Sequence, residues 1–378
     1  MPARDFICIS SVRWDSMRQR MQALTAELSL SRRVLYVEPP ALVELALFHA
    51  GTRSHLANAL RGMRSVGDLH ILAPVLPSLT QREPFRTLFQ RMMRPQIERA
   101  ARILGFHSPV VWTWFYPGLS CEALPRGDIA YDCVDEPALH RMFAGRRTRT
   151  SRALLQELML ARRARWVFAT ARRLADRLTA LNPNTHLLPN AAEPDAFSCP
   201  APEPHDLRGI PRPIAGYVGS IGPWLDVGLL EEVARLLPRM SFVLVGPVML
   251  GAKIGRLRAL PNVHLLGARP HAAVPAYVRA FDVCLIPFHL NDITHSVNPI
   301  KFYEYLSAGK PVVATPMAEL EPFGSVVDLA SDAPSFARAV ERRALDPQAG
   351  MMQRVEIAGQ NTWRQRAETL LGIIERSA

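Results

Sequence analysis

Residues 296–315 read SVNPIKFYEYLSAGKPVVAT, and this stretch decides the architecture. It predicts a helix with both ends marked, running straight into a buried strand. Asn298 is a preferred N-cap, Pro299 suits the first helical position, Gly309 suits the residue just past the end, and Pro311 forbids continuation. Val312, Val313 and Ala314 follow as a short apolar strand. The unpaired N–H groups at such a helix start carry roughly half a unit of positive charge and favour a phosphate, and Lys301 sits in the first turn beside them. Glu304, on the second turn, is placed to accept hydrogen bonds from ribose hydroxyls. The competing reading is a capped core helix whose lysine and glutamate face water. On these residues alone the two stand level.

Outward from that stretch, strand and helix alternate along the chain. FICIS at 6–10 is a short strand, Asp15 can cap a helix running through Leu28, and RVLYVEPP at 33–40 is the next strand, stopped by two prolines. LHILAP, VVWTWF, IAYDCVD, WVFAT and HLLPN read as further strands of the first half, with TLFQRMMRPQIERAARILG as a helix between. Residues 189–213 are dense in proline and have no periodicity, which marks a linker. A second alternation starts at Ile214, with strands near AGYVGS, SFVLVG, VHLLG, VCLIPF and PVVAT. Such alternation implies parallel sheets with ligands bound beyond the carboxyl ends of the strands. The expected organisation is α/β: a first Rossmann-like domain at 1–190, a linker at 191–213, a second Rossmann-like domain at 214–355, and a final helix at 356–378 that packs back toward the first domain with Trp363 as its anchor.

Composition narrows the function classes. At 378 residues the chain exceeds what one core usually supports, so two domains are expected. No window approaches the roughly 20 uninterrupted apolar residues of a membrane span, and no signal sequence opens the chain. The five cysteines are odd in number and contain no C-x-x-C pair, so neither a disulfide framework nor a zinc site is indicated, and a reduced cytoplasmic compartment is expected. With 45 Lys and Arg against 34 Asp and Glu, the formal charge is +11, concentrated between His140 and Leu178. That basic, partly amphipathic segment, 141–177 in particular, suits an anionic membrane surface, so peripheral placement at the inner membrane face is an expectation, set against plain solvated surface. Specific nucleic-acid binding is not expected, because no zinc-finger or RNP-type pattern accompanies the charge. Only three lysines occur in this arginine-rich chain, and two of them, Lys301 and Lys310, flank the marked helix, which points to a site wanting a compact ammonium group.

The stretch at 296–315 resembles the donor-binding signature of GT-B glycosyltransferases, in particular glycosyltransferase family 4 and its bacterial polysaccharide relatives of the teichuronic acid and exopolysaccharide type. In that signature a glutamate, here Glu304, precedes a small-x-Gly-x-Pro-Val turn. The resemblance extends through IAGYVGSIGPWLDVGLL at 214–230, FVLVGP at 242–247, residues 260–288, and LLPNAAEPDAF at 187–197, and so covers nearly the whole chain. It implies the GT-B fold, two facing Rossmann-like domains with an interdomain cleft. It implies transfer of a sugar from a nucleotide diphosphate, most simply UDP, to a polysaccharide, glycolipid or other carbohydrate or lipid-linked acceptor. One departure stands out. Family members commonly carry E-x7-E, and the position eight before Glu304 is Ser296, which leaves donor identity and stereochemistry open.

The same resemblance assigns Gly219 and Ser220 to the donor phosphates, a loop where the absent Cβ of glycine also permits close approach. It likens residues 267–271, with Arg269, to the segment whose backbone holds the nucleobase. Ser296, Asn298, Lys301 and Glu304 complete the expected donor side. For the acceptor proton, Asp132, Asp135 and Glu136 lie just past an apolar strand, and a similar Tyr-x-Cys-x-Asp string in bacterial relatives directs the assignment of base to Asp135, then Asp132. A retaining reaction assisted by the donor phosphate stays open beside it; retaining relatives often present a histidine here, and His140 is the nearest. Arg13, Trp14 and Arg18, at the end of the first strand, are expected on the acceptor side, although Trp14 also suits a hydrophobic staple. No metal and no cofactor beyond the nucleotide-sugar co-substrate are expected, since a helix start and a cation can neutralise a leaving diphosphate. Rival readings are a nucleotide-sugar 2-epimerase of the same fold and a non-catalytic nucleotide-sugar-binding protein.

Overall fold

The computed structural model describes residues 3–16, 18–43, 50–77, 91–114, 121–136, 147–249 and 251–376. Two compact units result: Met1–Leu188 together with Ala367–Ala378, and Pro189–Arg366. Each is a doubly wound α/β unit.

In the first unit the strands are β1 (Phe6–Ile9), β2 (Val34–Val37), β3 (Ala41–Leu42), β4 (Arg64–Val66), β5 (Leu69–Leu72), β6 (Val75–Leu76), β7 (Val110–Trp114), β8 (Asp128–Cys133), β9 (Trp166–Ala169) and β10 (Thr185–Leu187). The main sheet runs β10-β9-β8-β7-β1-β2-β5-β4, parallel except for β4, which pairs antiparallel with β5. FICI, VLYV and WVFA are buried along their whole length, as strands covered on both faces must be, and each is correspondingly a continuous apolar run. Trp112, Trp166 and Tyr36 are the largest apolar groups of this core. The helix after β1 spans Arg20–Ser29 and starts later than Asp15 implied. Gln19 and Gln22 form its capping box, while Asp15 is exposed and pairs with Arg64. The basic stretch is cut in two, with helices Arg147–Arg163 and Arg172–Thr179 separated by β9. His140 and residues 141–146 of that stretch, and residues 87–90 of the expected earlier helix, lie outside the described residues.

The second unit has β11 (Ile214–Val218), β12 (Ser241–Val245), β13 (Val263–Gly267), β14 (Val283–Ile286), β15 (Val312–Ala314) and β16 (Val327–Leu329), in the order β13-β12-β11-β14-β15-β16, all parallel. Order reverses between β11 and β14, so the crevice for a ligand opens at the carboxyl end of β11. The proline-dense stretch does not hang free. It forms a short helix at Pro194–Ser198, and its Phe197 and Leu207 are buried in this unit's core. Trp363, at the start of the last helix, Trp363–Arg376, is buried.

Candidate active site

Two glycine turns at the strand ends build the floor of the site. Gly219 follows β11 at φ +137° and Gly246 follows β12 at φ +151°, conformations that favour glycine. A Cβ on Gly246 would come within 2.0 Å of the Gly219 carbonyl oxygen, so the two turns nest backbone against backbone. A Cβ on Gly219 would lie 3.3 Å from Lys301 Cε and 3.5 Å from its Nζ, which places the glycine turn directly against the marked helix. That helix spans Ile300–Ser307, and the Tyr305 hydroxyl accepts from the Val218 backbone N–H at 2.9 Å, locking it to the end of β11.

The helix start differs from expectation by one residue. Pro299 is the N-cap, and Asn298 spends its side chain elsewhere. Its Oδ1 accepts from the Asn190 N–H at 2.9 Å, its Nδ2 donates to the Tyr303 hydroxyl and to Glu319, and the Asn190 amide donates to the Asn298 carbonyl at 2.6 Å. Asn298 therefore ties residues 189–191 to the helix and is buried, which removes it from direct ligand contact. Ser296 is corrected likewise. It is fully buried and its hydroxyl donates to the Asp292 carbonyl at 3.1 Å, so it closes a turn and offers nothing to a sugar. The far end of the helix is held by Arg354. This buried guanidinium donates to the carbonyls of Gly309 (2.8 Å), Ala349 (2.6 Å) and Pro347 (2.7 Å), and the first of these lies just past the last turn.

Lys301 and Glu304 remain available. The Lys301 ammonium sits 4.9 Å from the centroid of the Phe288 ring and 5.3 Å from that of Tyr217. Aromatic faces favour a cation but accept no hydrogen bond of ordinary strength. Among the described residues neither the Lys301 nor the Glu304 side chain makes a hydrogen bond or ion pair. Burial pushes Lys301 down to about 8, opposed by Glu304, and pushes Glu304 up to about 7, relieved by Lys301 and increased by Glu193. An ammonium and a carboxylate, both short of solvent and without a side-chain hydrogen bond or ion pair among the described residues, sit on adjacent turns at a helix start. Such an arrangement can receive a diphosphate on the cation and backbone N–H groups, and paired hydroxyls on the carboxylate.

Two further donor-side residues, Arg269 and Ser220, contact neighbouring protein groups. Arg269 donates from Nε to the Tyr277 hydroxyl at 2.9 Å and pairs through Nη2 with Asp206 at 2.6 Å, and Tyr277 donates to the same carboxylate, so its guanidinium staples the 205–207 turn rather than facing a ligand. Ser220 is half-buried, and its carbonyl accepts from the Tyr217 hydroxyl at 3.0 Å. Beside the glycine turn is an open cavity of about 650 Å³ lined by Gly222, Pro223, Lys253, Arg256 and His289 among others, and it includes neither Lys301 nor Glu304.

In the first unit the two aspartates separate. Asp132 is buried in a two-pronged pair with Arg20, Nε to Oδ2 at 2.9 Å and Nη2 to Oδ1 at 3.0 Å, and also accepts from the Trp114 indole at 3.2 Å. A carboxylate so fully engaged cannot take a substrate proton, and Asp132 is withdrawn as a base. Asp135 is exposed and makes no side-chain hydrogen bond or ion pair among the described residues. The surrounding protein withholds bulk water from its carboxyl and pushes it up from the ordinary carboxylate range. Trp14 donates its backbone N–H to Glu38 and meets Tyr36 edge-on at 5.0 Å between ring centroids. Arg13 is exposed and Arg18 half-buried at the same strand end.

Residues 212–346 match the family described as glycosyl transferases group 1. This stretch is a group 1 glycosyltransferase domain. The chain is 34% identical over 143 residues to the putative teichuronic acid biosynthesis glycosyltransferase TuaH of Bacillus subtilis (strain 168), a match spanning 37% of this chain and 36% of that protein. Among solved structures it is similar to sucrose-phosphate synthase from Thermosynechococcus elongatus (TM-score 0.70, 16% identity, 99% of each chain). It is also similar to Anabaena HepE in complex with UDP and glucose (TM-score 0.67, 15% identity, 99% of this chain and 100% of that one). The lipopolysaccharide glycosyltransferase WaaG aligns with TM-score 0.62 at 12% identity, over 98% and 99% of the chains. The fold is GT-B. Lys301, Glu304, Gly219 and Ser220 all fall inside the group 1 domain; the residues that hold the site helix at its ends, Asn190 and Arg354, fall outside it.

Proposed function

We propose that the chain transfers a sugar from a UDP-linked donor to a carbohydrate or lipid-linked acceptor at an anionic membrane surface. The observation that carries the donor half is Lys301 and Glu304, whose side chains have no hydrogen bond or ion pair among the described residues, on the first two turns of the helix that abuts the Gly219 turn. In this reading Lys301 and the backbone N–H groups hold the diphosphate and stabilise it as it leaves, while Glu304 accepts from the ribose hydroxyls. That HepE was solved with UDP and glucose supports UDP as the first base to test. Asp135 is assigned as the base that takes the acceptor proton. A carboxyl raised toward neutrality is suited to that step, because a base works best when its pKa lies near the working pH. The reaction is read as needing no metal, since cation and helix start together face the leaving group.

The membrane half rests on the helix Arg147–Arg163. There Leu154, Leu155 and Met159 are exposed on the same element as exposed Arg162 and Arg163. No helix among the described residues is long and apolar enough to cross a membrane. The deciding experiment is a thermal-shift panel of UDP, GDP, ADP and their sugars, followed by initial rates of nucleotide release from the sugar that stabilises most. A ligand at about 100 times its dissociation constant raises stability by roughly 2.7 kcal/mol. No stabilisation by any nucleotide would overturn the reading. Conversion of UDP-N-acetylglucosamine to its 2-epimer without acceptor would replace it with the epimerase.

A further inference from the structure

Glu157, on the helix Arg147–Arg163, is a fully buried carboxylate served by several donors. Arg177 grips it with a fork, Nη2 to Oε1 at 2.9 Å and Nη1 to Oε2 at 3.2 Å, and the Tyr131 hydroxyl donates to Oε1 at 2.9 Å. The Cys133 thiol lies 3.8 Å from the same oxygen. Burial and the carboxylate hold the tyrosine and the thiol well above their ordinary ranges, so both stay protonated as donors. A buried ion pair of this kind seldom adds net stability over apolar packing of the same volume, so stability is a poor account of why it is here.

Its reach offers a better one. Arg177 also extends Nε to within 3.4 Å of Glu136, and the Cys133 thiol lies 3.7 Å from the Asp135 carbonyl oxygen. Thr170 donates its hydroxyl to the Val134 carbonyl at 2.9 Å. The turn after β8 is thus held at 134 and at the backbone of 135, and the Glu136 carboxylate stands at ion-pair distance from Arg177, whose Nε makes no hydrogen bond among the described residues. Between these contacts the Asp135 carboxyl has no hydrogen-bond or ion-pair partner among the described residues.

We propose that Arg177, braced by buried Glu157, is a positioning residue that fixes the 134–136 turn through Glu136 and so aims the Asp135 carboxyl. This rests on the reading of Asp135 as the base. Glu136→Gln removes the outer contact and leaves the core pair intact, and Arg177→Lys keeps the charge but loses the fork. With the nucleotide sugar chosen by the thermal-shift panel, each variant should lower kcat by about tenfold, as expected for a reacting group displaced by a fraction of an ångström, with donor KM within about twofold of the parent. The Glu136→Gln melting temperature should match the parent's, which a purely structural role would not combine with a lost kcat. Asp135→Asn is run alongside. If Asp135→Asn stops turnover while Glu136→Gln and Arg177→Lys run at the parental rate, the positioning role is overturned and the base stands. If Asp135→Asn itself runs at the parental rate, the base assignment falls and the positioning role with it.

Discussion

Replacing Lys301 with methionine should make the free protein more stable and nucleotide binding weaker, and the opposite signs are the point. The fall of the ammonium from its ordinary 10.5 to about 8 corresponds to about 3 kcal/mol of disfavoured charge at neutral pH, at about 1.4 kcal/mol for each tenfold change. Partial exposure discounts that figure, and the attraction of the ammonium to the Phe288 and Tyr217 rings opposes it by about 0.5 to 2 kcal/mol. A net gain of about 1 kcal/mol remains, or about 2–4 °C in a unit the size of 189–366. The sign has a pH signature. A lysine whose folded pKa is depressed destabilises the fold fully below about 8 and not at all once the unfolded lysine also loses its proton near 10.5, so the advantage of Lys301→Met should be present at pH 7 and fade across that window. Meanwhile UDP should bind about 10- to 100-fold more weakly, the worth of one charge-assisted contact, and uridine nearly as before. Thermal denaturation from pH 6 to 10.5 and calorimetric titration with UDP and uridine give both halves. A variant that is less stable than the parent and binds UDP equally well would refute the reasoning.

Glu304→Gln should weaken UDP by about 1 to 3 kcal/mol and uridine almost as much, because its proposed partners are the ribose hydroxyls; a titration showing loss for UDP alone would relocate it. In the parent, affinity for UDP should fall as pH drops through about 7, where Glu304 takes up a proton, and Glu304→Gln should flatten that limb. Asp132→Asn should destabilise the first unit by about 3 kcal/mol or more in urea denaturation, since it leaves the buried Arg20 guanidinium without its counter-charge; a value under about 1 kcal/mol would argue against the pair. Binding to phosphatidylglycerol vesicles should weaken steeply with salt, because exposed charge is screened over about 8 Å at physiological ionic strength, and Leu155→Ser with Met159→Ser should lower whatever survives high salt. Flotation indifferent to both changes would set the membrane aside.

The strands that could be read from sequence were those carrying unbroken apolar runs, such as FICI and SFVLV, because burial on both faces writes itself into consecutive residues. The strands at Arg64–Val66 and Val327–Leu329 carry three residues each and, unlike the equally short Val312–Ala314, no unbroken apolar run, so the sequence does not mark them. Helix periodicity puts Lys301 and Glu304 one turn apart at a helix start, while the family resemblance is what assigns them to a donor site. Asn298 and Arg269 look like any polar residue near a turn, and only long-range partners, Asn190 and Asp206, show that they are engaged, while Ser296 is spent on a carbonyl four residues back. Asp132 and Asp135 differ by a single fact invisible in the text: the β8 pleat aims one inward at Arg20, more than a hundred residues away, while the other lies past the strand. Glu157 and Arg177 gave no sign at all. In sequence they are two members of a charged helical stretch, and their meaning comes from packing against β8.

Arg354 and Asn190 carry an implication for anyone wishing to move this domain into another protein. Trimmed to 212–346, the donor unit would keep its sheet, its glycine turns and every residue proposed to touch the nucleotide, and would still be unsound. The peptide oxygen past the last turn of the site helix would lose its guanidinium, and the approach to the first turn would lose the amide clamp that Asn190 supplies. Recombination between relatives should therefore place its crossovers ahead of residue 189 and beyond residue 359, so that both end-clamps travel with the helix they hold. Grafts spliced closer in would be expected to bind nucleotide poorly even where every ligand-facing side chain is identical.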